Sequence, residues 1–216
     1  MTKLITLLAA FAALCPLLAD EPLTVDVPKF DAKIELDGFL RDAVWDKAPV
    51  FELGPVKDAV PLGCGTTLRL WRDSAALYLG FRCENPALPL FLKAKQRPDD
   101  GPAYADEDLE IFIDIQSGAN PTRQFVVNAL GSAYDGTYHN GVNADWNGQW
   151  RRAAAMVRGA WYAELRIPFS DLGGHPDSVL ISCCRVGYGK GGQQWMAAWQ
   201  APGWFKPVVR LNLKDK

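Results

Sequence analysis

Short segments in which apolar and polar residues alternate run through most of this chain, and this pattern limits the fold more than any other feature. Between residues 109 and 115 every odd-numbered position is Leu or Ile, whereas Glu110 and Asp114 occupy even positions. A period of two is that of a β-strand, because successive side chains point to opposite faces. Such β-rich segments predict strands at residues 67–71, 77–83, 109–115, 124–130, 161–167, 179–188, 194–199 and 208–213.

Turn-forming residues separate these segments, and helical periodicity is scarce. The 216 residues include 19 Gly and 15 Pro. Many short strands joined by such turns are typical of two packed antiparallel sheets. The predicted fold class is therefore all-β, an antiparallel β-sandwich, with short helical turns only at residues 39–47 and 168–174. Residues 88–105 and 134–152 are predicted to be long loops, which in a compact domain tend to be functional.

Residues 1–19 have the layout of a secretory signal peptide. Lys3 precedes a short apolar run, and a small residue closes the segment at the expected cleavage point. The run is too short to span a bilayer comfortably. Leu14 stands where a lipoprotein signal normally has Gly, Ala or Ser, so lipid attachment at Cys15 is not expected. We predict a secreted or periplasmic protein without a transmembrane segment, whose residues 23–216 form a single β-sandwich domain.

Charge and motif content exclude several functions. The chain has 23 Lys and Arg against 25 Asp and Glu, a net charge of −2 that leaves no basic surplus to neutralise phosphates. A nucleic-acid partner is therefore not expected. The sequence contains only two His and shows no nucleophile elbow, zinc-protease motif or phosphate loop. The acidic residues between 99 and 110 could hold a general acid and base, but such a cluster is more often a solvated surface or a calcium site. Enzymatic activity stays open, with a non-catalytic role favoured.

Four cysteines remain once the signal segment is removed. Cys183 and Cys184 are adjacent in a predicted strand and would point to opposite faces, so they should not bridge each other. Cys64 and Cys83 flank the open end of the predicted 67–83 hairpin, and an oxidising compartment would permit a disulfide between them. Buried free thiols that behave as small hydrophobes are the alternative.

Aromatic residues are numerous, and many fall outside the predicted strands. The chain has 8 Trp, 6 Tyr and 10 Phe. Flat rings stack on the C–H faces of sugars, while neighbouring amides and carboxylates bond the hydroxyl groups. The alternative is that these rings only cover the ends of the sandwich. The aromatic residues in predicted loops or at strand ends include Tyr104, Tyr134, Tyr138, Trp146, Trp150 and Trp204.

Five segments, in order and at natural spacing, resemble the motifs of carbohydrate-binding module family 9, within the wider DOMON-like group. The family's patterns are an opening IDGxxDxxW, a hairpin with an LYxxF strand, a VEIFID strand, a QFxVN strand and a WxxExxIPF strand. The resemblance runs from about residue 34 to residue 213 and implies a sandwich of the DOMON-like, jelly-roll type. The matching segments are IELDGFLRDAVW (34–45), the 67–81 hairpin, DLEIFID (108–114), QFVVN (124–128) and WYAELRIPF (161–169).

The resemblance also implies a function. Members that bind sugars hold the end of a glycan between two aromatic rings, and the matching positions here are Tyr104 and Trp204. The Glu of the VEIFID-like strand, here Glu110, accepts bonds from hydroxyl groups. Gln124 and Asn128 are polar residues inside otherwise apolar strands and are predicted to be further hydroxyl partners. The predicted function is a non-catalytic module that binds a poly- or oligosaccharide.

Further implications concern a metal, partners and two departures from the motifs. Family members carry calcium, so the resemblance implies a structural Ca²⁺ near the acidic residues, at Asp106 and Asp108. It also implies a place beside polysaccharide-degrading enzymes, as an accessory part of a glycoside hydrolase system in carbohydrate breakdown. Val126 stands where sugar-binding members have Arg, and Lys206 where they have Asp.

A DOMON-like, haem-binding electron-transfer domain is the alternative function, since some relatives bind haem b. Haem needs axial ligands such as Met, His or Lys. The candidates lie in no recognisable haem motif, so haem is not expected. They are Met156, Met196, His139 and His175.

Overall fold

A computed structural model describes residues 22–56, 59–115, 122–138, 142–200 and 208–215. Strands dominate these residues, as the alternation predicts. Two short 3-10 helices accompany them, η1 (Ala103–Ala105) and η2 (Phe169–Leu172). The strands are β1 (Leu23–Asp26), β2 (Val50–Glu52), β3 (Gly54–Pro55), β4 (Thr66–Arg72), β5 (Ala76–Glu84), β6 (Asp108–Asp114), β7 (Thr122–Asn128), β8 (Ala133–Tyr138), β9 (Val142–Asn143), β10 (Arg151–Val157), β11 (Ala160–Pro168), β12 (Ser178–Tyr188), β13 (Gln194–Ala198) and β14 (Val209–Asn212).

The strands form two sheets. The first has the order β1-β14-β12-β6-β7-β8-β9, with β13 paired to β12 and to β3. The second has the order β10-β11-β5-β4-β2. Paired strands are antiparallel except at one edge of the first sheet, where β1 runs parallel to β14. The predicted antiparallel β-sandwich is confirmed, with the β1–β14 pair as an exception to it.

One face of each sheet is buried in a common core. In β6, Leu109, Ile111 and Ile113 are fully buried. They belong to the same cluster as Leu68 and Leu79 of the second sheet. Each of these residues lies on the apolar face that the alternation predicts. Burial of one Leu or Ile side chain contributes roughly 1.5–3 kcal/mol, so the core determines which face of β6 turns outward.

The N-terminal part of the domain covers the outer face of the second sheet. Trp45 and Trp71 lie there with ring centroids 6.0 Å apart. The helical turn predicted at residues 39–47 is confined to its second half, where the N–H groups of Trp45 and Lys47 donate to carbonyls three residues earlier without forming a helix. Positive φ values at Gly38 (83°) and Leu40 (52°) are incompatible with the start of a right-handed helix.

The two predicted long loops have different outcomes. The loop predicted at residues 134–152 is wrong, because β9, most of β8 and the first residues of β10 lie within it. The core-facing side of β8 carries Asp135 and Thr137, so this strand lacks the apolar alternation of its neighbours. The loop predicted at residues 88–105 is confirmed apart from η1. Helix η2 lies within the predicted helical turn at residues 168–174.

The four described cysteines are buried and free. The candidate disulfide between Cys64 and Cys83 is thus not formed in this structure, which has the alternative arrangement of buried free thiols. The register of β4 with β5 places Thr66 opposite Cys83, whereas the carbonyl of Cys64 accepts a hydrogen bond from Arg185 at 3.2 Å. Burial raises the pKa of the Cys83 thiol to about 12, which keeps this group protonated at neutral pH.

Within the described ranges, no helix is long and apolar enough to cross a membrane. Residues 1–19 lie outside those ranges, so the signal peptide stays a prediction. The same holds for the secreted or periplasmic location and for the absence of lipid at Cys15.

Candidate functional site

The outer face of the first sheet carries a cleft of about 880 Å³. Outward-facing residues of β6, β7, β12 and β13 contribute to it, together with η1, β8 and the loop before η1. This face lies opposite the core, where the alternation predicts polar residues. The cleft therefore combines polar side chains of the sheet with the aromatic residues of a neighbouring helical turn.

Glu110 and Gln124 form a polar pair in the cleft. Glu110 lies between Leu109 and Ile111 in β6, so the core packing of those two residues turns its side chain outward. Gln124 lies on the same face of β7, and its Nε2 donates a hydrogen bond to Glu110 Oε2 at 3.2 Å. An amide and a carboxylate side by side can accept several hydrogen bonds from the hydroxyl groups of a ligand.

Burial alters the acidity of this part of the cleft. Glu110 is only 5% exposed, and desolvation raises its pKa to about 7. Asp108 lies two residues earlier on the same face, is fully buried, and has no hydrogen-bond partner for its carboxylate oxygens among the described residues. Desolvation and the neighbouring Glu110 raise the pKa of Asp108 well above its ordinary value. Near neutral pH Glu110 can therefore carry a proton as well as a charge.

Three tyrosines stand around the cleft. Tyr104 belongs to η1 and is 50% exposed, and Tyr138 at the end of β8 is 49% exposed. Tyr134 is buried and meets Tyr104 edge-on, with ring centroids 5.3 Å apart. This contact holds the half-exposed ring of Tyr104 at the cleft, where an apolar ligand face could pack on it. The structure thus brings Tyr104, Glu110 and Gln124 together, while their role in binding stays a prediction.

Apolar side chains that sequence reasoning missed as site residues complete the cleft. Val186 of β12 pairs with Met196 of β13, and both line the cleft with Phe112 of β6. Gln194 and Asp100 add polar groups. The alternation along β6 could have identified Phe112 as an outward-facing residue, because it lies between two core residues. The acidic residues between 99 and 110 include Asp100, and the haem-ligand candidates include Met196, whereas no local pattern marks Val186 or Gln194.

Asn128 does not line this cleft. It lies on the same face of β7 as Gln124, but its Nδ2 donates to the carbonyl of Lys95 at 2.8 Å and to Asp106 Oδ2 at 2.9 Å. Its Oδ1 accepts backbone N–H groups of Leu130 and Ser132. The amide is therefore used inside the protein, where it anchors the loop before η1, and this placement does not match the predicted role of a hydroxyl partner.

Asp106 is likewise committed to internal contacts. Arg97 donates to its two carboxylate oxygens at 2.8 and 2.7 Å, and the N–H of Lys95 donates at 3.2 Å. Burial acts to raise the pKa of Asp106, but hydrogen bonds from Arg97, Asn128 and Lys95 hold it below its ordinary value. Across the described part of the chain, no group of three or more His, Cys, Asp or Glu side chains is placed to hold a metal ion. The calcium site at Asp106 and Asp108 stays a prediction.

The second of the two aromatic rings that are predicted to hold the end of a glycan falls in residues 201–207, outside the described residues. Trp204 and Lys206 both belong to that segment. Val126 is described and lies directly opposite Glu110 in the β6–β7 ladder, fully buried. The arrangement of two rings around the end of a glycan therefore stays a prediction.

The described haem-ligand candidates do not converge on one place. Met196 lines the cleft, whereas Met156 lies on β10 of the other sheet. His175 packs against Phe169 with ring centroids 4.3 Å apart, and His139 lies outside the described residues. The haem-binding alternative is therefore not favoured.

Three solved structures share this fold. A carbohydrate-binding module of family 9 from Caldicellulosiruptor kristjanssonii in complex with cellotriose has a TM-score of 0.67 and 13% identity, over 89% of this chain and 94% of that one. A family 9 module from the same organism in complex with glucose has a TM-score of 0.66 and 13% identity, over 89% and 96% of the two chains. A candidate carbohydrate-binding protein from Bacteroides uniformis has a TM-score of 0.69 and 14% identity, over 90% and 100%.

The sequence itself matches a family profile, that of the carbohydrate family 9 binding domain-like proteins, over residues 36–201. No curated protein matches the chain. The matched range contains every strand from β2 to β13 and the cleft on the first sheet. It covers well over half of the chain, and the resemblance found in the five motifs is confirmed. The chain belongs to the carbohydrate family 9 binding domain-like family.

Proposed function

We propose that the protein is a non-catalytic carbohydrate-binding module that holds the end of a poly- or oligosaccharide in this cleft. One observation carries the proposal: a half-exposed ring, Tyr104, lines the same cleft as the hydrogen-bonded pair of Glu110 and Gln124. Sugar recognition needs both features. An aromatic ring contacts the apolar C–H face, while acceptors orient the hydroxyl groups.

The distribution of polar and apolar groups across the cleft supports a pyranose ligand. Gln124 lies on one side of β6, whereas Val186 and Met196 lie on the other side. A pyranose ring has a polar rim of hydroxyl groups and apolar faces. It can therefore bond to the acid–amide pair at its rim while its faces pack on Tyr104 and on the apolar side chains.

Gluco-oligosaccharides are the first ligands to test. Two of the similar structures were solved in complex with cellotriose and with glucose, respectively. Cellotriose offers both a free end and a run of linked rings, so it probes a site for a glycan end and a longer cleft at once.

The proposal extends to parts of the chain outside the described residues. Trp204 would supply the second ring that the family motifs imply, and residues 1–19 would direct export. In the exported state the module would act beside polysaccharide-degrading enzymes in carbohydrate breakdown. A calcium ion bound near Asp106 and Asp108 would serve stability rather than sugar contact.

Calorimetric titration with cellotriose tests the proposal. Tyr104→Ala and Trp204→Ala should each weaken binding about thirtyfold, because loss of an aromatic anchor typically costs about 2 kcal/mol. Tyr162→Ala is the matched control, since Tyr162 alternates with core residues of β11 and therefore lies on the outer face of the second sheet. Unchanged affinity in both Tyr104→Ala and Trp204→Ala, or a Soret band in the purified protein, would count against the proposal.

A further inference from the structure

Glu110 presents an unfilled hydrogen-bond acceptor to the cleft. Its side chain is almost fully buried, and Oε2 accepts the hydrogen bond from Gln124. Among the described residues, none donates a hydrogen bond to Oε1. Burial removes much of the water from this carboxylate, but its side chain lines the cleft, so a ligand there can donate a hydrogen bond to Oε1. A ligand that supplies a strong donor at this point is therefore favoured.

The nearest described neighbours of Glu110 bring no positive charge to it. Val126 of β7 and Cys184 of β12 lie directly opposite it in the two ladders, and both are fully buried. Asp108 is a second carboxyl group on the same face. Lys93 lowers the pKa of Asp108, but its Nζ is engaged with an aromatic ring 3.5 Å away.

Asp100 adds a carboxylate to the cleft from the loop before η1. The charged side chains that the described lining contributes are thus Glu110 and Asp100, and both are acidic. Two negative groups that face one cleft attract a cation and repel an anion. The field of Glu110 is screened less than that of Asp100, because Glu110 is nearly buried whereas Asp100 is exposed.

We infer that this cleft selects glycans that carry a protonated amine, such as glucosamine oligosaccharides, over neutral or acidic glycans. The inference rests on the proposed function, because it assigns a ligand class to the same site. An ammonium group donates charge-assisted hydrogen bonds, which are roughly twice as strong as neutral ones, and would fill Oε1 of Glu110. A uronate would instead place a further negative charge beside Glu110 and Asp100.

Calorimetric titration with three trisaccharides tests the inference. The glucosamine trimer is compared with its N-acetylated counterpart and with cellotriose at about pH 7, where an amine is still mostly protonated and part of the Glu110 carboxyl is ionised. We expect the glucosamine trimer to bind at least about tenfold more tightly than either neutral sugar, which corresponds to about 1.4 kcal/mol. Added salt should reduce this ratio, because it screens the charges.

Three variants assign the preference to the acidic groups. Glu110→Gln keeps the size of the side chain and removes its charge. The affinity for the glucosamine trimer divided by that for cellotriose should therefore fall towards one. Asp100→Asn should lower the ratio in part. Glu52→Gln is the matched control, since Glu52 is an exposed acid on β2 of the second sheet and should leave the ratio unchanged.

The outcomes separate the two proposals. A ratio near one in the parent protein, with cellotriose still bound, would overturn the amine preference and leave the proposed function intact. A ratio that survives in Glu110→Gln would overturn the role of Glu110 in that preference. Failure to bind any of the three sugars would overturn both proposals.

Discussion

Trp45 Nε1 donates a hydrogen bond to Glu164 Oε1 at 2.8 Å, although 119 positions separate the two residues in the chain. The other oxygen of this carboxylate accepts the backbone N–H groups of Asp37 and Gly38 at 3.0 and 2.7 Å. Glu164 is fully buried in β11. The opening motif of the domain and the strand that carries Glu164 are therefore one structural unit, joined by three hydrogen bonds to a single side chain.

Loss of this acceptor should destabilise the fold. Glu164→Ala removes the partner of three N–H groups, so we expect a loss of about 3 kcal/mol in the free energy of unfolding, measured with urea. Glu84→Ala on β5 is the control, because its ion pair with Arg82 is solvent-exposed and should be worth less than about 1 kcal/mol. Equal effects of the two variants would contradict the structural role of Glu164.

Glu107 and Arg185 form a fully buried ion pair, in which Arg185 Nη2 lies 2.7 Å from Glu107 Oε1. Arg185→Met leaves the Glu107 charge uncompensated, so we expect a loss of about 3–5 kcal/mol. Adding Glu107→Gln removes that charge and should restore a large part of the stability. Thermal unfolding of the single and double variants measures both effects, and a double variant less stable than Arg185→Met would refute the explanation.

The raised pKa of Glu110 predicts that the fold weakens as pH rises. The pKa is about 7 in the folded protein against an ordinary value of 4.5, so the folded state holds the proton more tightly. This stabilising contribution is complete below about pH 4.5 and is lost as pH rises through about 7. At about 1.4 kcal/mol per pKa unit it amounts to about 3 kcal/mol.

Glu110→Gln isolates this contribution, because glutamine does not titrate while the other groups remain. The free energy of unfolding of the parent minus that of the variant should fall by about 3 kcal/mol between about pH 4.5 and pH 8. Denaturant unfolding across this range measures the difference. A difference that does not change with pH would show that burial leaves the acidity of Glu110 unaltered.

Gly187 of β12 lies opposite Trp195 of β13, and a Cβ atom at Gly187 would stand 2.1 Å from the indole ring. Gly187→Ala should therefore cost about 1–3 kcal/mol, because the buried ring or the backbone must shift. Gly54→Ala on β3 is the matched control, since its added methyl group would meet open space. Chemical denaturation compares the two, and a Gly187→Ala protein as stable as the parent would exclude close packing of Trp195 on this strand.

The core-facing half of the fold follows from the sequence wherever one face of a strand is uniformly apolar. Leu109, Ile111 and Ile113 are an example, and the same parity places Glu110 and Gln124 on one outward face. Strand β8 was not predicted because its core-facing side carries a polar residue, Asp135. The Oδ2 atom of Asp135 accepts a hydrogen bond from the N–H of Gly148. Backbone pairing with β7, rather than apolar alternation, makes that segment a strand.

The position of a residue in the alternation along a strand gives the face on which its side chain lies, but it does not show what covers that side chain. Asn128 lies on the same face as Gln124, yet Lys95 of the long loop passes over it and takes its hydrogen bond. The path of a loop depends on contacts far apart in sequence, so no pattern within β7 reveals that the amide is already used. The same reason explains Asp106, whose partner Arg97 belongs to that loop.

The parallel pairing of β1 with β14 determines how the domain would respond to mechanical tension. Leu23 pairs with Val209 and Asp26 with Asn212, so both strands run in the same direction along one edge. Force applied through the chain before β1 and after β14 would pull the two strands past each other and load all their hydrogen bonds together. An antiparallel pair would open one bond at a time under the same force. The domain is therefore built to bear shear between its two ends, and force spectroscopy that records only low-force unzipping at this edge would contradict this.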